Sequence, residues 1–166
     1  LGELFRRLEF KRNLDLDSRK GKRGGGFQAM LPKRSEPFIF MNAVGDHQDI
    51  VTMIHEGGHA IHSFLMRDLE LSAFKQVPSE IAELSSMSME LLTMDHWSLL
   101  YPNEEELKRA RRSQLERVIK VLPWIATIDK FQHWLYENPQ HSHSERRENW
   151  ERIASEFQSG VVDHSG

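Results

Sequence analysis

The sequence contains no cysteine in its 166 residues. This absence excludes disulfide bonds, thiolate metal sites and a cysteine nucleophile, so a bound metal has to be held by histidine and carboxylate side chains. A chain without cysteine is also typical of a reducing compartment, and we expect a cytoplasmic location. No apolar run approaches the length that crosses a bilayer, so we expect no membrane partner.

The chain also lacks a strong excess of either charge. Its 22 basic and 25 acidic residues leave a formal net charge of -3 at pH 7, which gives no general reason to expect nucleic acid as a partner. One short basic cluster, RKGKR at residues 19–23, is the only support for a nucleic-acid-binding module. That hypothesis would require salt-dependent binding to an oligonucleotide.

The residues that are present predict a folded domain. A chain of 166 residues has the size of one ordinary domain, so we expect a single unit over residues 1–166. Apolar residues make up 39% and charged residues 28%, which is typical of a globular protein rather than a disordered tail.

The pattern of elements predicts a mainly α fold with one small β-hairpin. The first 16 residues could be the end of a helix, and they lead into the glycine-rich loop RKGKRGGG. Two short strands, at residues 27–31 and 37–44, flank the turn PKRSEP. Helices are expected at residues 49–67, 78–99, 103–137 and 142–158, the third with a kink at Pro123.

Capping residues mark the starts of the last two helices. Asn103 can cap the third helix, with Glu106 completing a capping-box pattern. Ser142 and Glu145 form the same pattern at the start of the last helix.

The most informative segment is DIVTMIHEGGHAIHSFLM at residues 49–66. It contains the motif His55-Glu56-Gly57-Gly58-His59. Positions four apart lie one above the other on a helix, so both imidazoles can reach one tetrahedral ion. Glu56 lies beside them and can contact a water molecule on that ion without occupying the metal. The motif predicts one Zn²⁺ ion held by His55 and His59, with Glu56 as general base.

The distribution of residues around this helix supports the motif. His55, His59 and His62 fall together on one face. The opposite face is expected to be apolar and comprises Ile50, Met53, Ile54, Gly57, Ala60, Ile61, Phe64 and Leu65. A solvent-exposed histidine face is the alternative, and it is disfavoured because Lys and Glu are better suited to exposed helix positions.

The two glycines of the motif also require an explanation. Each costs roughly 1 kcal/mol relative to alanine inside a helix. Glycine is used where another backbone or a ligand approaches closely, which predicts tight packing of this helix beneath a cleft.

Zinc needs a third protein ligand, and a second helix carrying a carboxylate is a common source. The segment VPSEIAELSSMSMELL at residues 77–92 offers Glu80, Glu83 and Glu90. Glu83 and Glu90 share a helix face, whereas the helix dipole alone explains an acidic residue at the position of Glu80. Spacing alone leaves the choice open.

The run HEGGHAIH, with VPSEIAELSS after it and GKRGGGF and PFIFMNAVG before it, closely resembles the thimet oligopeptidase and oligoendopeptidase F family of zinc peptidases. The resemblance is strongest to the oligoendopeptidase F branch and covers nearly the whole chain. It implies a zincin-like catalytic core that hydrolyses oligopeptides. It also implies that His55, His59 and Glu83 bind zinc and that Glu56 is the general base. This resemblance, and not the spacing, selects Glu83.

The chain departs from this family in length. Family members are several times longer and carry downstream tyrosine and histidine residues that help to bind substrate and stabilise the transition state. We therefore expect residues 1–166 to be the catalytic core of a longer architecture. Surfaces that would meet the rest of that architecture predict self-association of the isolated segment.

Several residues near the motif are candidates for supporting roles. His62 is expected on the second shell of the metal or on the substrate side. Glu90 is expected either to orient a ligand histidine or to form a helix salt bridge. Asp49 is better explained as a carboxylate at a helix start.

Other features have simpler explanations. His141 and His143 lie in a loop where capping and solvation account for them. The stretch GKRGGG lacks the spacing of a phosphate-binding loop, and we expect a flexible cleft-edge loop that offers positive charge to a peptide carboxylate. The aromatic residues of the third helix are expected in a core or on an apolar surface, and they include Trp124, Phe131 and Trp134.

The sequence leaves two hypotheses for the function. The leading hypothesis is a zinc endopeptidase that acts on oligopeptides, with the strand PFIFMN binding an extended peptide along its edge. The alternative is a folded zinc-binding domain without catalysis. Metal analysis combined with a peptide-cleavage assay separates the two.

Overall fold

A computed structural model describes residues 2–158. The chain divides between Pro102 and Asn103 into two compact units. Five α-helices, two 3-10 helices and three strands make up the described part, so the predicted mainly α fold is confirmed. Within residues 2–158, the helices are too short or too polar to span a membrane.

The first unit combines a small sheet with three α-helices. Its elements in chain order are α1 (Gly2–Phe10), β1 (Leu14–Asp17), β2 (Phe27–Leu31), β3 (Glu36–Ala43), α2 (His47–Met66) and α3 (Ser79–Leu92). Short 3-10 helices lie at Ser72–Lys75 and Met94–Leu99.

The sheet has the strand order β1-β3-β2. β2 and β3 form the predicted antiparallel hairpin, with Gln28 opposite Ile39. β1 adds a third strand, parallel to β3, that the sequence analysis did not predict. Because β3 is paired on both sides, the prediction that the PFIFMN strand offers a free edge for a peptide is wrong. β2 is the open edge of the hairpin.

The third strand was missed because the first helix ends without a glycine. Arg12 adopts a left-handed conformation with φ of 54°. The N–H groups of Arg12 and Asn13 bond the carbonyls of Glu9 and Leu8, each at 2.9 Å, in the pattern of a Schellman helix end. Glycine normally occupies that left-handed position, so its absence concealed the boundary between helix and strand.

The core of the first unit lies between the sheet and α2. Its buried members are Leu8, Ile39, Met41, Ala60 and Phe64. Side chains alternate between the two faces of a strand, so Ile39 and Met41 face this core together. The sheet thereby supports the middle of α2 from one side.

Replacing Ile39 tests this core. Ile39 has no exposed surface, and Ile39→Ala is expected to lower the free energy of unfolding by about 2–5 kcal/mol through lost burial and a cavity. Val44 follows the same strand but is 74% exposed, so Val44→Ala should change stability by less than about 0.5 kcal/mol. Urea unfolding followed by circular dichroism measures both. Equal losses for the two variants would contradict the assignment of Ile39 to the core.

A capping box starts α2 two residues earlier than predicted. Asp46 accepts a hydrogen bond from the N–H of Asp49 at 3.0 Å. The Asp49 carboxylate accepts in return from the N–H groups of Val44, Gly45 and Asp46 at 2.6–3.1 Å. Burial raises the pKa of Asp49, but these backbone hydrogen bonds outweigh it and the pKa is lowered. Asp49 thus acts as the helix-start carboxylate that the sequence analysis favoured.

The predicted helix over residues 78–99 is shorter in the structure. α3 ends at Leu92, and the chain continues as a 3-10 helix. The Thr93 hydroxyl donates to the Met89 carbonyl at 2.8 Å, and the buried Trp97 indole N–H donates to Thr93 at 3.3 Å. These local bonds compete with continued α-helical bonding.

The second unit contains α4 (Glu104–Glu137) and α5 (His143–Phe157). Asn103 caps α4, and Ser142 forms the predicted capping box with Glu145. α4 continues through Pro123. On α5, Trp150 contacts Trp124 and Phe131 edge-on, with ring centroids 6.1 and 5.1 Å apart.

The aromatic residues of α4 were expected either in a core or on an apolar surface, and the structure shows some of each. The contacts of Trp124 and Phe131 with Trp150 join the two helices, yet Trp124 keeps 56% of its surface exposed. Neighbouring apolar residues of α4 are exposed as well, including Leu115, Ile119 and Leu122.

Candidate metal centre

Three side chains of the first unit converge on one point. His55 and His59 lie one turn apart on α2, and Glu83 faces them from α3. The Nε2 atom of His55 is 3.3 Å from Oε2 of Glu83, and Nε2 of His59 is 3.6 Å from Oε1 of the same carboxylate. Within residues 2–158, these three form a group able to hold a metal, with one donor atom of each within 4.8 Å of the others.

The spacing of the donor atoms fits zinc. In a tetrahedral site with bonds of about 2.0–2.1 Å, two ligand atoms lie roughly 3.3–3.4 Å apart. The distance of 3.3 Å between His55 Nε2 and Glu83 Oε2 matches that value, and His59 Nε2 lies 3.6 Å from the other carboxylate oxygen, Oε1. Two imidazoles and one carboxylate also leave a fourth position free, as in catalytic zinc sites.

Glu90 supports the first of these ligands from behind. It lies two turns beyond Glu83 on α3, is 3% exposed, and places Oε1 2.6 Å from Nδ1 of His55. A hydrogen bond from Nδ1–H to this carboxylate leaves Nε2 as the free donor atom for a metal. The bond to Glu90 raises the pKa of His55, although burial acts in the opposite direction.

Glu56 is buried beside the three convergent groups but is not one of them. Burial raises the pKa of this carboxyl. The charge of His55 and a backbone hydrogen bond from Gln28 in β2 oppose the rise, and the negative charge of Glu83 adds to it. A carboxylate whose pKa is raised towards neutrality is suited to accept and return a proton.

The surroundings of His59 lower the pKa of its imidazole. Burial lowers its pKa, and the positive charges of His55 and His62 lower it further, against the effect of Glu83. A lowered pKa favours the neutral imidazole that a metal requires. His62 lies one turn beyond His59, half-buried and outside the convergent group.

The α2 helix is buried over more of its circumference than the helical wheel predicted. Glu56 and Gly58 are buried although they lie outside the predicted apolar face, and Leu65 of that face is 74% exposed. The reason is that α2 packs against the sheet and α1 on one side and against α3 on another, which a wheel of one helix does not show. The histidines therefore lie between helices, not on an open surface.

Each glycine of the motif faces a different neighbour. A Cβ at Gly57 would overlap the tip of the Phe5 ring from α1. A Cβ at Gly58 would lie 2.7 Å from the backbone Cα of Ser86 in α3. The glycines were predicted to permit close packing, and each does so against a different helix.

The remaining acidic and basic candidates lie elsewhere. Glu80 is exposed in the first turn of α3, outside the convergent group. Lys22 of the basic loop is not available to a peptide, because its side chain is 1% exposed. It donates to the Asp15 carboxylate and to the backbone carbonyls of Asp15 and Asp17. Arg19 and Lys22 hold the pKa of Asp15 well below its usual range.

The two loop histidines are likewise used locally or lie outside the site. His141 Nδ1 is 2.5 Å from the Asn138 carbonyl, and its Nε2 accepts from Arg146 at 2.7 Å. His143 is the first residue of α5. Neither belongs to the group that could hold a metal.

A model of peptidase family M3 matches residues 6–165. The chain belongs to peptidase family M3. Two curated relatives of this M3 chain are similar over parts of its length. It is 28% identical over 99 residues to a chromosomal oligoendopeptidase F from Lactococcus lactis subsp. cremoris. It is 30% identical over 96 residues to oligopeptidase PepF from Bacillus subtilis strain 168.

A solved structure extends the similarity to nearly the whole M3 chain. PZ peptidase A, determined with an inhibitor, superposes with a TM-score of 0.86 and 32% identity over 99% of this chain. The zincin-like core and the resemblance to oligoendopeptidase F are thereby confirmed. The M3 chain spans 29% of that structure, and the alignments cover 16% and 14% of the two curated relatives.

Proposed function

We propose that this chain is the catalytic core of a zinc-dependent peptidase that hydrolyses peptide bonds in oligopeptides. The observation that carries the proposal is the convergence of His55, His59 and Glu83, with Glu56 buried beside them. The names of the relatives, oligoendopeptidase F and oligopeptidase, support oligopeptides as the substrate class.

The proposed mechanism assigns one task to each residue. A zinc ion held by His55, His59 and Glu83 would act as a Lewis acid towards the peptide carbonyl and increase the acidity of a water molecule. Glu56 takes a proton from the attacking water and later delivers it to the departing amine. Glu90 keeps the His55 ring in one orientation through Nδ1. Hydrolysis then proceeds without a covalent intermediate on the protein.

The open edge of β2 is the proposed binding surface for the substrate backbone. Within residues 2–158, this strand pairs with β3 on one side only. Glu56 receives a backbone hydrogen bond from Gln28 of β2. An extended peptide added at this edge would therefore run close to the general base. Binding through main-chain groups depends little on side chains, which suits a peptidase of broad preference.

A second candidate function is zinc binding without catalysis. The chain spans between 14% and 29% of the relatives named above, so catalysis by the whole protein is a proposal and not a finding. The same three ligands would bind the metal, and Glu56 would have no substrate to act on. The cytoplasmic location and self-association stay predictions of the sequence.

Removal and return of zinc test the leading proposal. A chelator is expected to abolish cleavage of an internally quenched peptide, and stoichiometric zinc is expected to restore it, because water activation depends on the metal. Magnesium, which prefers oxygen ligands, serves as the control and should restore nothing. Cleavage that survives complete metal removal would contradict the zinc peptidase. Zinc binding with no cleavage at any zinc concentration would favour the second candidate.

A further inference from the structure

The metal ligands lie on two helices, so the distance between these helices decides whether one ion can reach all three. His55 and His59 are on α2, and Glu83 is on α3. Metal–ligand distances in a genuine site vary by only about 0.2 Å. An element that sets the spacing of α2 and α3 therefore controls the geometry of the centre.

The two helices approach each other closely at Gly58 and Ser86. A Cβ placed on Gly58 would lie 2.7 Å from Cα of Ser86, and 3.2 and 3.3 Å from two side-chain carbons of Met89. Ordinary van der Waals contacts of a Cβ begin at 3.4 Å. An alanine at position 58 would thus require a displacement at Ser86 of about 0.3 Å to reach the shortest observed contacts and about 0.7 Å to reach an ordinary contact. Since the obstacle is backbone, rotation of a side chain cannot relieve it.

This contact is local to the three ligands. Gly58 lies in α2 between the two histidines, immediately before His59, and Ser86 lies in α3 one turn after Glu83. Even the smaller of these shifts, about 0.3 Å, exceeds the tolerance of about 0.2 Å for a metal–ligand bond. A larger residue at position 58 would therefore move Glu83 away from both imidazoles.

Ser86 contributes a second effect through its hydroxyl group. The residue is completely buried, and its Oγ atom donates to the Glu83 carbonyl at 3.0 Å. The same Oγ lies 3.5 Å from Oε2 of Glu83, the oxygen that is nearest to His55. The single hydroxyl proton can go to the carbonyl or to the ligand carboxylate, and the Oγ atom also occupies space beside that carboxylate, which limits the positions that the carboxylate can adopt.

We propose that Gly58 and Ser86 form a spacer that positions Glu83 against His55 and His59. The inference rests on the proposed metal centre and adds two positioning residues to it. Neither residue belongs to the convergent group His55, His59 and Glu83. They act through the separation of the two helices and through the conformation of the Glu83 side chain.

The matched pair Gly58→Ala and Gly57→Ala tests the spacer. Both variants add one methyl group to adjacent buried positions of α2, with the same change in helix propensity. At Gly57 the three nearest atoms to the methyl all belong to the Phe5 ring, so the obstacle there is a side chain and not backbone. Gly58→Ala is expected to weaken zinc binding by about 10–100-fold, the typical effect of a supporting residue, and Gly57→Ala by less than about threefold. Competition with a chromogenic chelator measures both affinities.

Ser86→Ala provides a test that does not depend on accommodating a methyl group. It keeps the backbone contact and removes only the hydroxyl, and Ser88→Ala on the same helix is its control. We expect Ser86→Ala to weaken zinc binding several-fold and to change the visible absorption spectrum of the Co²⁺-loaded protein, whereas Ser88→Ala changes neither. Thermal unfolding of the metal-free variants measures any loss of stability. A loss of stability alone would not alter the Co²⁺ spectrum of the molecules that remain folded.

The outcomes separate the spacer from the metal centre itself. The spacer is overturned, and the metal centre stays intact, if the unaltered chain binds zinc but the variants show no difference. That result would be equal zinc affinities of Gly58→Ala and Gly57→Ala, and an unchanged zinc affinity and Co²⁺ spectrum of Ser86→Ala. If Gly58→Ala fails to fold, Ser86→Ala decides by its affinity and Co²⁺ spectrum. Failure of the unaltered chain to bind zinc would overturn both proposals.

Discussion

Glu56→Gln is expected to lower peptide hydrolysis by about 10²–10⁴-fold, the usual contribution of a general base, while zinc stays bound. The amide has nearly the shape of the carboxylate but cannot accept the proton of water. Glu56 lies outside the convergent group His55, His59 and Glu83, so replacing Glu56 leaves the proposed metal ligands unchanged. Turnover of a quenched peptide and the zinc content of the same preparation are the two measurements.

An exposed glutamate of α3 provides the control for this variant. Glu80→Gln makes the same chemical change outside the convergent group and should retain both turnover and zinc. Full turnover by Glu56→Gln would reject Glu56 as the base. Loss of zinc from Glu56→Gln would instead indicate that this carboxylate contributes to metal binding.

Glutamine replacements of the three acidic residues of α3 are expected to weaken zinc binding in a definite order. Glu83→Gln removes a charged ligand and should have the largest effect, more than about 100-fold. Glu90→Gln keeps a hydrogen-bond partner for His55 but loses the charge, and should cost about 10–100-fold. Glu80→Gln should leave the affinity unchanged, because Glu80 lies outside the convergent group.

This order can be measured by chelator competition at one pH, with circular dichroism to check folding. It addresses the choice among Glu80, Glu83 and Glu90 that residue spacing left open. A larger loss from Glu90→Gln than from Glu83→Gln would contradict the assignment of Glu83 as third ligand. Glu90 would then be the candidate ligand.

The two buried glycines of the motif show how much the geometry of the site depends on the neighbouring helices. Gly57 and Gly58 are adjacent and identical in the sequence, and each costs the helix the same propensity. In the structure, one faces a movable aromatic ring and the other faces the backbone of a second helix. The expected effects of their alanine variants on zinc affinity therefore differ by at least about threefold, although no local rule distinguishes the two glycines.

Local features of the chain were predicted well from the sequence. The hairpin at residues 27–43 followed from its strands and turn, and the capping box of Ser142 and Glu145 followed from a four-residue pattern. The placement of His55 and His59 one turn apart needed only the period of a helix. These features depend on interactions between residues close in sequence, which is why spacing predicts them.

Features that depend on distant segments were decided by the tertiary structure. β1 and the central position of β3 result from pairing across the sheet, and no glycine marked the boundary at Arg12. The approach of Glu83 to the histidines depends on how α3 packs against α2. The sequence by itself determined the helix, the two imidazoles and the neighbouring carboxylate. The packing of two helices decided which glutamate faces them and how closely, because contact between separate elements depends on the fit of their surfaces.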